Sequence, residues 1–222
     1  MRRFDLGEVL PAVRSLEYES ALLFSFSERS VLAVAKEAGT VKAREGIAYL
    51  VAYMLCIPAA NWLILNVGTT CVPDGPCIIP VAPGISAPTG VLMIGLALVL
   101  RDLVQRRLGL KWTVAAILAG AGLSAFFAPA QLVVASAAAF LVSEFADLLV
   151  YTPLQRRRLI AAVAASSFVG LVVDSILFLY LAFGSLEFLL GQIVGKSWMV
   201  LLALPLITLL RRRDARLGVV PA

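Results

Sequence analysis

Long apolar stretches separated by short polar segments fill the chain from residue 46 onward. A helix needs about 20 mostly apolar residues to cross the roughly 30 Å hydrocarbon core of a bilayer. Six segments approach this length, and they are residues 47–67, 86–106, 112–127, 132–151, 159–183 and 188–210. The pattern therefore predicts an all-α integral membrane protein in which residues 46–212 form six transmembrane helices.

The first 45 residues follow a different pattern. They carry seven basic and seven acidic side chains, and their apolar runs are too short for the core of a signal peptide. We expect residues 1–45 to form a short cytoplasmic extension, in which 16–26 and 31–38 are short helices or strands. Residues 213–222 are expected to form a cytoplasmic tail.

Composition narrows the class of protein further. Of the 222 residues, 61% are hydrophobic and 15% are charged, whereas a soluble domain is about half apolar and a quarter charged. This excludes soluble globular, disordered and collagen-like proteins. The chain has no histidine, which excludes catalysis by an imidazole base and zinc sites that need imidazole ligands. Three cysteines are too few for a disulfide scaffold or a cysteine metal cluster, so neither a metal nor an organic cofactor is implied.

The distribution of basic residues predicts the orientation. Eighteen of the nineteen Lys and Arg residues lie before span one, from Arg101 near the end of span two to Lys111 before span three, between spans four and five, or after span six. The loops 68–85, 128–131 and 184–187 carry none. Because cytoplasmic loops are enriched in Lys and Arg, we expect both termini to be cytoplasmic in a bacterial-type inner (plasma) membrane. The net charge of +5 is then explained by the orientation of the chain in the lipid bilayer, which is its expected partner. It does not indicate that the protein binds nucleic acid.

Two cysteines lie in the first loop predicted to be external. Cys71 and Cys77 bracket the turn-forming sequence Val-Pro-Asp-Gly-Pro. An oxidising exterior allows a disulfide between them, and two free thiols are the alternative. Cys56, inside span one, is expected to be a small core residue.

Apart from Arg101 and Arg106 near the end of span two, five charged residues fall within the predicted spans, and they are Asp102, Glu144, Asp147, Asp174 and Lys196. A charge at the bilayer centre costs at least about 2.5–3.5 kcal/mol on insertion scales. Charged residues at such positions usually mark a polar cavity, a proton relay or a substrate site.

The spacing of these residues along the helices predicts that their side chains face a common interior. Glu144 and Asp147 are three residues apart and so lie on one helix face. Gln192 and Lys196, four residues apart, also share a face. Span five repeats small and polar residues at the same spacing, at Ser167, Gly170 and Asp174. Together with Asn61 in span one, these positions predict one central cavity lined by spans one, two, four, five and six.

Structural roles stay open for several of these residues. Asp102 could form an ion pair with a neighbouring arginine at the cytoplasmic end of span two, and Asp147 could reach an arginine in the same way. Asp174 and Lys196 could pair with each other without touching a substrate. Asn61 could make a hydrogen bond that packs two helices, as side-chain amides do in membranes.

Residues 191–197, Gly-Gln-Ile-Val-Gly-Lys-Ser, look like a phosphate-binding loop. That motif needs four residues between its glycines and a position between a strand and a helix, whereas this segment has three and lies in an apolar helix. We therefore reject ATP binding. Gly191 and Gly195 instead form a G-x-x-x-G pair, which allows two helices to approach closely and would bring Lys196 near a neighbouring span.

An ordered set of motifs runs through the membrane part, and its members are Asn61, Arg101-Asp102-Leu103 with Arg106 to Gly109, Ala135-Ser136 with Glu144, Asp147 and Arg156, Asp174 with Phe178 and Ala182-Phe183, and Lys196. Over about residues 46–212 this set resembles the VUT (vitamin uptake transporter, YhhQ-like) family of queuosine precursor transporters. The chain departs from the family pattern at Ser143-Glu144, where the family often has Gly-Gln, and at Leu171, where it often has Asn. These differences alter the polar lining of the predicted cavity.

The resemblance implies uptake of 7-cyano-7-deazaguanine or a related 7-deazapurine, a purine-like small molecule. Asp174 or Glu144 would accept the two N–H groups of its guanine-like edge in a two-point contact. The base's carbonyl oxygen would accept a hydrogen bond from a polar side chain, the candidates being Asn61, Gln192 and Lys196. Phe178 or Trp198 would stack on the ring.

Two transport functions remain open at this point. In the first, the chain is a secondary carrier, with Asp102 and Asp147 as candidates for a coupling proton or for structural ion pairs. In the second, it is the substrate-capture subunit of an energy-coupling factor transporter with separate ATPase subunits. An intramembrane hydrolase is disfavoured because histidine and facing catalytic carboxylates are missing from the sequence motifs, and a structural scaffold is disfavoured by the buried charges. We therefore expect a protein that is not an enzyme, and a homodimer is compatible with so small a bundle.

Overall fold

The computed structural model describes residues 39–71, 76–128 and 130–218, and helices dominate it. The helices are α1 (Gly39–Asn66), α2 (Val91–Leu108), α3 (Leu110–Phe127), α4 (Val133–Leu154), α5 (Leu159–Phe183) and α6 (Leu189–Leu217). The predicted helical membrane architecture is confirmed for this part of the chain. The segments 16–26 and 31–38, predicted as short helices or strands, lie outside the described residues.

Five of the helices in the described ranges are long and apolar enough to cross a membrane, namely α1, α3, α4, α5 and α6. The remaining helix, α2, stands where the second span was predicted, but its 18 residues include four charges, at Arg101, Asp102, Arg106 and Arg107. All four side chains are buried. The surface of α2 is therefore much less polar than its sequence, because the bundle encloses its charges.

The predicted start of span two is wrong. Instead of a helix from residue 86, the chain forms three strands, β1 (Thr70–Cys71), β2 (Cys77–Ala82) and β3 (Ile85–Pro88), which pair antiparallel in the order β1-β2-β3. Prolines at positions 80, 83 and 88 lack the N–H group that a helix interior requires. Gly84 turns the chain between β2 and β3 with a φ of 72°. The all-α prediction thus fails locally, in a small sheet that precedes α2.

The sheet carries the two cysteines of the predicted external loop. Cys71 and Cys77 lie opposite each other in the register of β1 and β2, and their Sγ atoms are bonded. Of the two alternatives that the sequence leaves open, the structure has the disulfide. Cys56 is a free cysteine and is buried in the core, as predicted.

Polar and apolar side chains are distributed as expected for a protein surrounded by lipid. Several large apolar side chains are more than half exposed, among them Leu55, Trp62, Val134, Leu149 and Leu206. By contrast, the side chains of Arg101 and Lys196 are 0% and 1% exposed. The interior of the bundle therefore contains charges, whereas its outer surface is largely apolar.

One residue joins α2 to α3. Gly109 has a φ of 86°, a conformation that residues with a Cβ atom rarely adopt. The polar loop expected between spans two and three is consequently helical, since Arg106 and Arg107 belong to α2 and Lys111 belongs to α3.

Helix α1 starts within the predicted extension and α6 ends within the predicted tail, so residues from both segments pack against the bundle. Asp214 of α6 accepts hydrogen bonds from Arg106 at 2.7 Å and from Arg107 at 2.8 Å. Glu45 of α1 forms ion pairs with Arg107 and Arg213. We call these five residues the end cluster, and it connects α1, α2 and α6.

Candidate functional site

A central pocket lies among the six helices and is closed on one side by the end of β3. The pocket has a water-accessible volume of about 70 Å³, which is room for several waters or a compact ligand. Its polar side chains are Asn61, Ser124, Ser136, Asp174, Gln192 and Lys196, and its aromatic ones are Phe140 and Phe178. Every span predicted to line a cavity contributes to it, and α3 contributes as well, through Ser124.

Lys196 is held at the wall of this pocket by three acceptors. Its Nζ atom donates to Asp174 Oδ2 at 2.5 Å, to Ser175 Oγ at 2.8 Å and to Gln192 Oε1 at 2.7 Å. An ammonium group has three N–H donors, so all of them are used. We call these four residues the Lys196 cluster. The pairing of Asp174 with Lys196, considered from the sequence, is present, and so is the shared face of Gln192 and Lys196.

The contacts of the Lys196 cluster determine which polar atoms remain for a ligand. Asp174 is 8% exposed and uses Oδ2 for Lys196, which leaves Oδ1 as an acceptor. Gln192 uses its amide oxygen, which leaves its amide nitrogen as a donor. Asn61 donates to the carbonyl oxygen of Ile57 at 3.0 Å, which leaves its side-chain oxygen. Lys196 and Asn61 are therefore poorly placed to donate to a ligand, whereas Gln192 is well placed.

The two aromatic candidates for stacking lie in different places. Phe178 lines the central pocket. Trp198 is 50% exposed, and its Nε1 donates to the carbonyl oxygen of Val81 on β2 at 2.9 Å. Phe140 takes the second aromatic position in the pocket.

Glycines bring α6 close to its neighbours beside the pocket. A Cβ atom on Gly195 would lie 2.6 Å from Val91 Cγ2, and one on Gly191 would overlap the carbonyl group of Ser86. On the other side, a Cβ atom on Gly95 of α2 would lie 2.6 Å from the carbonyl oxygen of Lys196. The close approach expected from the G-x-x-x-G pair is thus present, and its partners are β3 and the first turn of α2.

The other buried charges form a separate group, the Arg101 cluster, which consists of Arg101, Asp102, Glu144 and Asp147. Arg101 Nη2 lies 3.0 Å from Asp102 Oδ1 and also contacts Asp147 Oδ1, while Arg101 Nε donates to Glu144 Oε2 at 3.2 Å. The predicted ion pair of Asp102 with an arginine is therefore present. The structure places Glu144, a predicted substrate ligand, in this cluster and not among the residues that line the pocket.

Among the polar and aromatic residues of the pocket, sequence reasoning did not identify three as ligand contacts, and it also missed one residue of the Arg101 cluster. Ser124 is an isolated polar residue in an apolar helix, so periodicity gave no signal for it. Ser136 and Phe140 are four residues apart and share a face of α4, which could have suggested them. Arg101 was assigned to a cytoplasmic loop, because the bias of basic residues toward such loops does not distinguish a buried arginine.

Comparison with known protein families matches residues 123–210 to the family described as "Putative vitamin uptake transporter". The matched segment contains α4, α5 and most of α6, and hence Asp174, Gln192 and Lys196. No curated protein and no solved structure matches the chain. The resemblance seen in the sequence is confirmed at the level of the family over residues 123–210, which match the vitamin uptake transporter model.

Proposed function

We propose that this protein is a secondary carrier that imports 7-cyano-7-deazaguanine or a related 7-deazapurine across a bacterial-type inner membrane. In this proposal α2 is a sixth transmembrane helix and both termini are cytoplasmic. The family match supports transport of a vitamin-like compound. The more specific substrate rests on the resemblance to the queuosine precursor transporters, and the polar atoms of the central pocket suit it.

The observation that carries the proposal is the position of the Lys196 cluster. Asp174 and Lys196 form an ion pair at 2.5 Å in the wall of a pocket to which all six helices contribute. Residues placed where all helices meet can respond to the relative movement of those helices, which alternating access to a central site requires.

The free polar atoms of the pocket suit the edge of a guanine-like base. Such a base has two neighbouring N–H donors and a carbonyl acceptor on one edge. Asp174 Oδ1 can accept from the donors, and a carboxylate that does so forms charge-assisted hydrogen bonds. The amide nitrogen of Gln192 can donate to the carbonyl oxygen. Lys196 orients Asp174 through its hydrogen bond, and Phe178 offers a face against which the ring can stack.

The burial of the charges on α2 supports six spans. Arg101 and Asp102 are both 0% exposed, so lipid would meet the apolar side chains of this helix and not its charges. A helix of this kind can lie in a bilayer although its composition alone argues against it.

Uptake in a bacterial host that makes no queuosine precursor and lacks its own carrier tests the proposal. Cells expressing this chain and fed 7-cyano-7-deazaguanine at low concentration should form queuosine in their tRNA, and Asp174→Asn cells should not. Glu187→Gln, which changes an exposed acid in the α5–α6 connection, is the matched control and should behave like the wild type. Absence of queuosine with a well-inserted wild-type protein would contradict the proposed substrate, and full activity of Asp174→Asn would contradict the proposed site.

A further inference from the structure

The Arg101 cluster has more negative than positive groups. Its three carboxylates belong to Asp102, Glu144 and Asp147, and each contacts the single guanidinium group of Arg101. The exposed fractions of the four side chains lie between 0% and 3%. Ionised carboxylates without a compensating charge are strongly disfavoured in such surroundings, and they take up protons instead. Binding of a proton would relieve this excess of negative charge.

Two of the carboxylates compete for the same donor. Asp102 Oδ1 and Asp147 Oδ1 both contact Nη2 of Arg101, so these two acidic groups, from α2 and α4, lie side by side. Glu144 contacts Nε of the guanidinium group instead. When two carboxylates share one site, they titrate together and one proton is shared between them.

A second observation marks unused hydrogen-bonding capacity at this place. Asp147 Oδ2 and the hydroxyl group of Tyr53 are buried, and among the described residues neither makes a hydrogen bond of good geometry, although Tyr53 interacts with Glu144 and Asp147 with Ser166. The ring of Tyr53 packs 6.2 Å from that of Phe140, one helical turn before Glu144 on α4, so its hydroxyl group lies beside the carboxylates. Polar groups of this kind that are left unpaired in a buried site can receive or pass on a proton.

The surroundings of the cluster contain few other ionisable groups. In the described part of the chain, α1 presents Tyr53, and α5 presents Asp174, which interacts electrostatically with Glu144. On α4, the ring of Tyr151 lies 5.7 Å from the guanidinium carbon of Arg101, and Tyr151 also interacts with Arg106. Two neutral groups complete the contacts: Gln105 of α2 accepts from Arg101 at 3.4 Å, and Ser166 of α5 donates to Asp102 at 2.9 Å. The excess negative charge is thus not neutralised by a second contacting cation.

The cluster and the pocket are one helical turn apart along two helices. On α4, Phe140 lines the pocket and Glu144 belongs to the cluster. On α5, Asp174 lines the pocket, while Gly170 packs against Asp147 so closely that a Cβ atom there would lie 3.0 Å from Asp147 Cβ. Four residues on a helix correspond to a rise of about 6 Å. A change in charge at the cluster can therefore act on the helices that form the pocket.

We propose that Asp102 and Asp147 share one exchangeable proton and that this proton is the coupling ion of the carrier. This proposal rests on the proposed function. The proton binds a carboxylate oxygen when the site faces the outside and leaves for water when it faces the cytoplasm, so each cycle moves one proton inward with one substrate molecule. Loading removes the repulsion between the two carboxylates and allows α2 and α4 to remain in contact during the movement.

Transport in vesicles containing the purified full-length protein tests the coupling, with 7-cyano-7-deazaguanine as the probe. For one proton per substrate, an inward gradient of about one pH unit should sustain about tenfold accumulation. Asp147→Asn mimics the protonated acid, and it should retain exchange of labelled for unlabelled substrate but lose accumulation. Glu187→Gln should keep both. If the wild type exchanges substrate but its accumulation does not depend on the pH gradient, the proton proposal is overturned and the proposed function stays intact.

Infrared spectroscopy of the same vesicles gives a readout that does not depend on transport. The wild type should show the carbonyl band of a protonated carboxylic acid at neutral pH, and this band should be lost in the Asp102→Asn, Asp147→Asn double variant. The band should persist in Glu187→Gln. If the wild type has no such band, the proposed proton site is wrong, even where transport is observed. If the band is present but no substrate exchanges, the proton site stands and the proposed substrate fails.

Discussion

The ammonium group of Lys196 lies 2.5 Å from Asp174 Oδ2, and both residues form part of the wall of the central pocket. The two residues belong to neighbouring helices, α6 and α5, so the ion pair also connects these helices. Because Asp174 uses Oδ2 for this pair, its second oxygen, Oδ1, can accept a hydrogen bond from a ligand. This pair of residues thus both connects two helices and offers a contact to a ligand.

Removing the cation of this pair should destabilise the protein. In Lys196→Met, Asp174 keeps a charge without a partner, and breaking a buried ion pair in this way typically costs about 3–5 kcal/mol. We expect a clear fall in the unfolding midpoint in detergent. Lys196→Met combined with Asp174→Asn should recover much of the loss, since both charges are then absent. A double variant as unstable as the single one would show that the pairing is not the cause.

The contact between α2 and α6 should depend on Gly95. A methyl group there would lie 2.6 Å from the carbonyl oxygen of Lys196, and a backbone atom cannot move aside without shifting α6. Gly95→Ala should therefore lower the free energy of unfolding by about 1–3 kcal/mol and reduce uptake. The control is Gly122→Ala on α3, where a Cβ atom meets nothing within 4 Å. It should be neutral or stabilising by about 0.5–1 kcal/mol, and equal effects of the two substitutions would refute the close approach.

Phe178 and Trp198 should differ in their effect on substrate. Phe178→Leu removes an aromatic face from the pocket, and we expect the KM for uptake to rise several-fold because aromatic contacts contribute about 0.5–1.5 kcal/mol. Trp198→Phe removes a half-exposed indole that contacts β2, and the KM should change little. The measurement is the concentration dependence of initial uptake rates. A larger effect at Trp198 would place the stacking residue outside the described pocket.

The helix positions and the paired residues of α6 could largely be predicted from the sequence. Apolar length defined the helices, and the spacing of Gln192 and Lys196 defined a shared face, because both signals are local. The Arg101 cluster could not be predicted, since Arg101 and Glu144 are separated by 43 positions and belong to different helices. Nothing local distinguishes an arginine that pairs inside a bundle from one that orients a loop.

The small sheet before α2 was missed for a related reason. Its residues are as apolar as those of a transmembrane helix, so a hydropathy pattern extends span two backwards through Pro88. The prolines were the available signal for the break, and they were outweighed by the length of the apolar run. The end cluster was missed because Asp214 was assigned to a tail, whereas α6 continues beyond it.

The disulfide offers a test of orientation. In intact cells, exposed Cys71 should resist a membrane-impermeant maleimide until a reductant is added, after which it should react, because it lies in the predicted external loop. Cys77 is 1% exposed and should react little. Buried Cys56 should stay unlabelled in both conditions. The measurement is the shift in gel mobility of the labelled protein. Labelling that requires permeabilised cells would place this loop in the cytoplasm and reverse the proposed topology.

Equilibrium binding of 7-cyano-7-deazaguanine to the purified protein tests the central claim most directly. The wild type and Glu187→Gln should bind it with the same Kd. Asp174→Asn, checked to be folded, should bind about tenfold to a hundredfold more weakly, as expected for the loss of a hydrogen bond to a charged group. Equal affinity of Asp174→Asn and the wild type would contradict the account, because the ligand would then bind without the residue at the centre of the site.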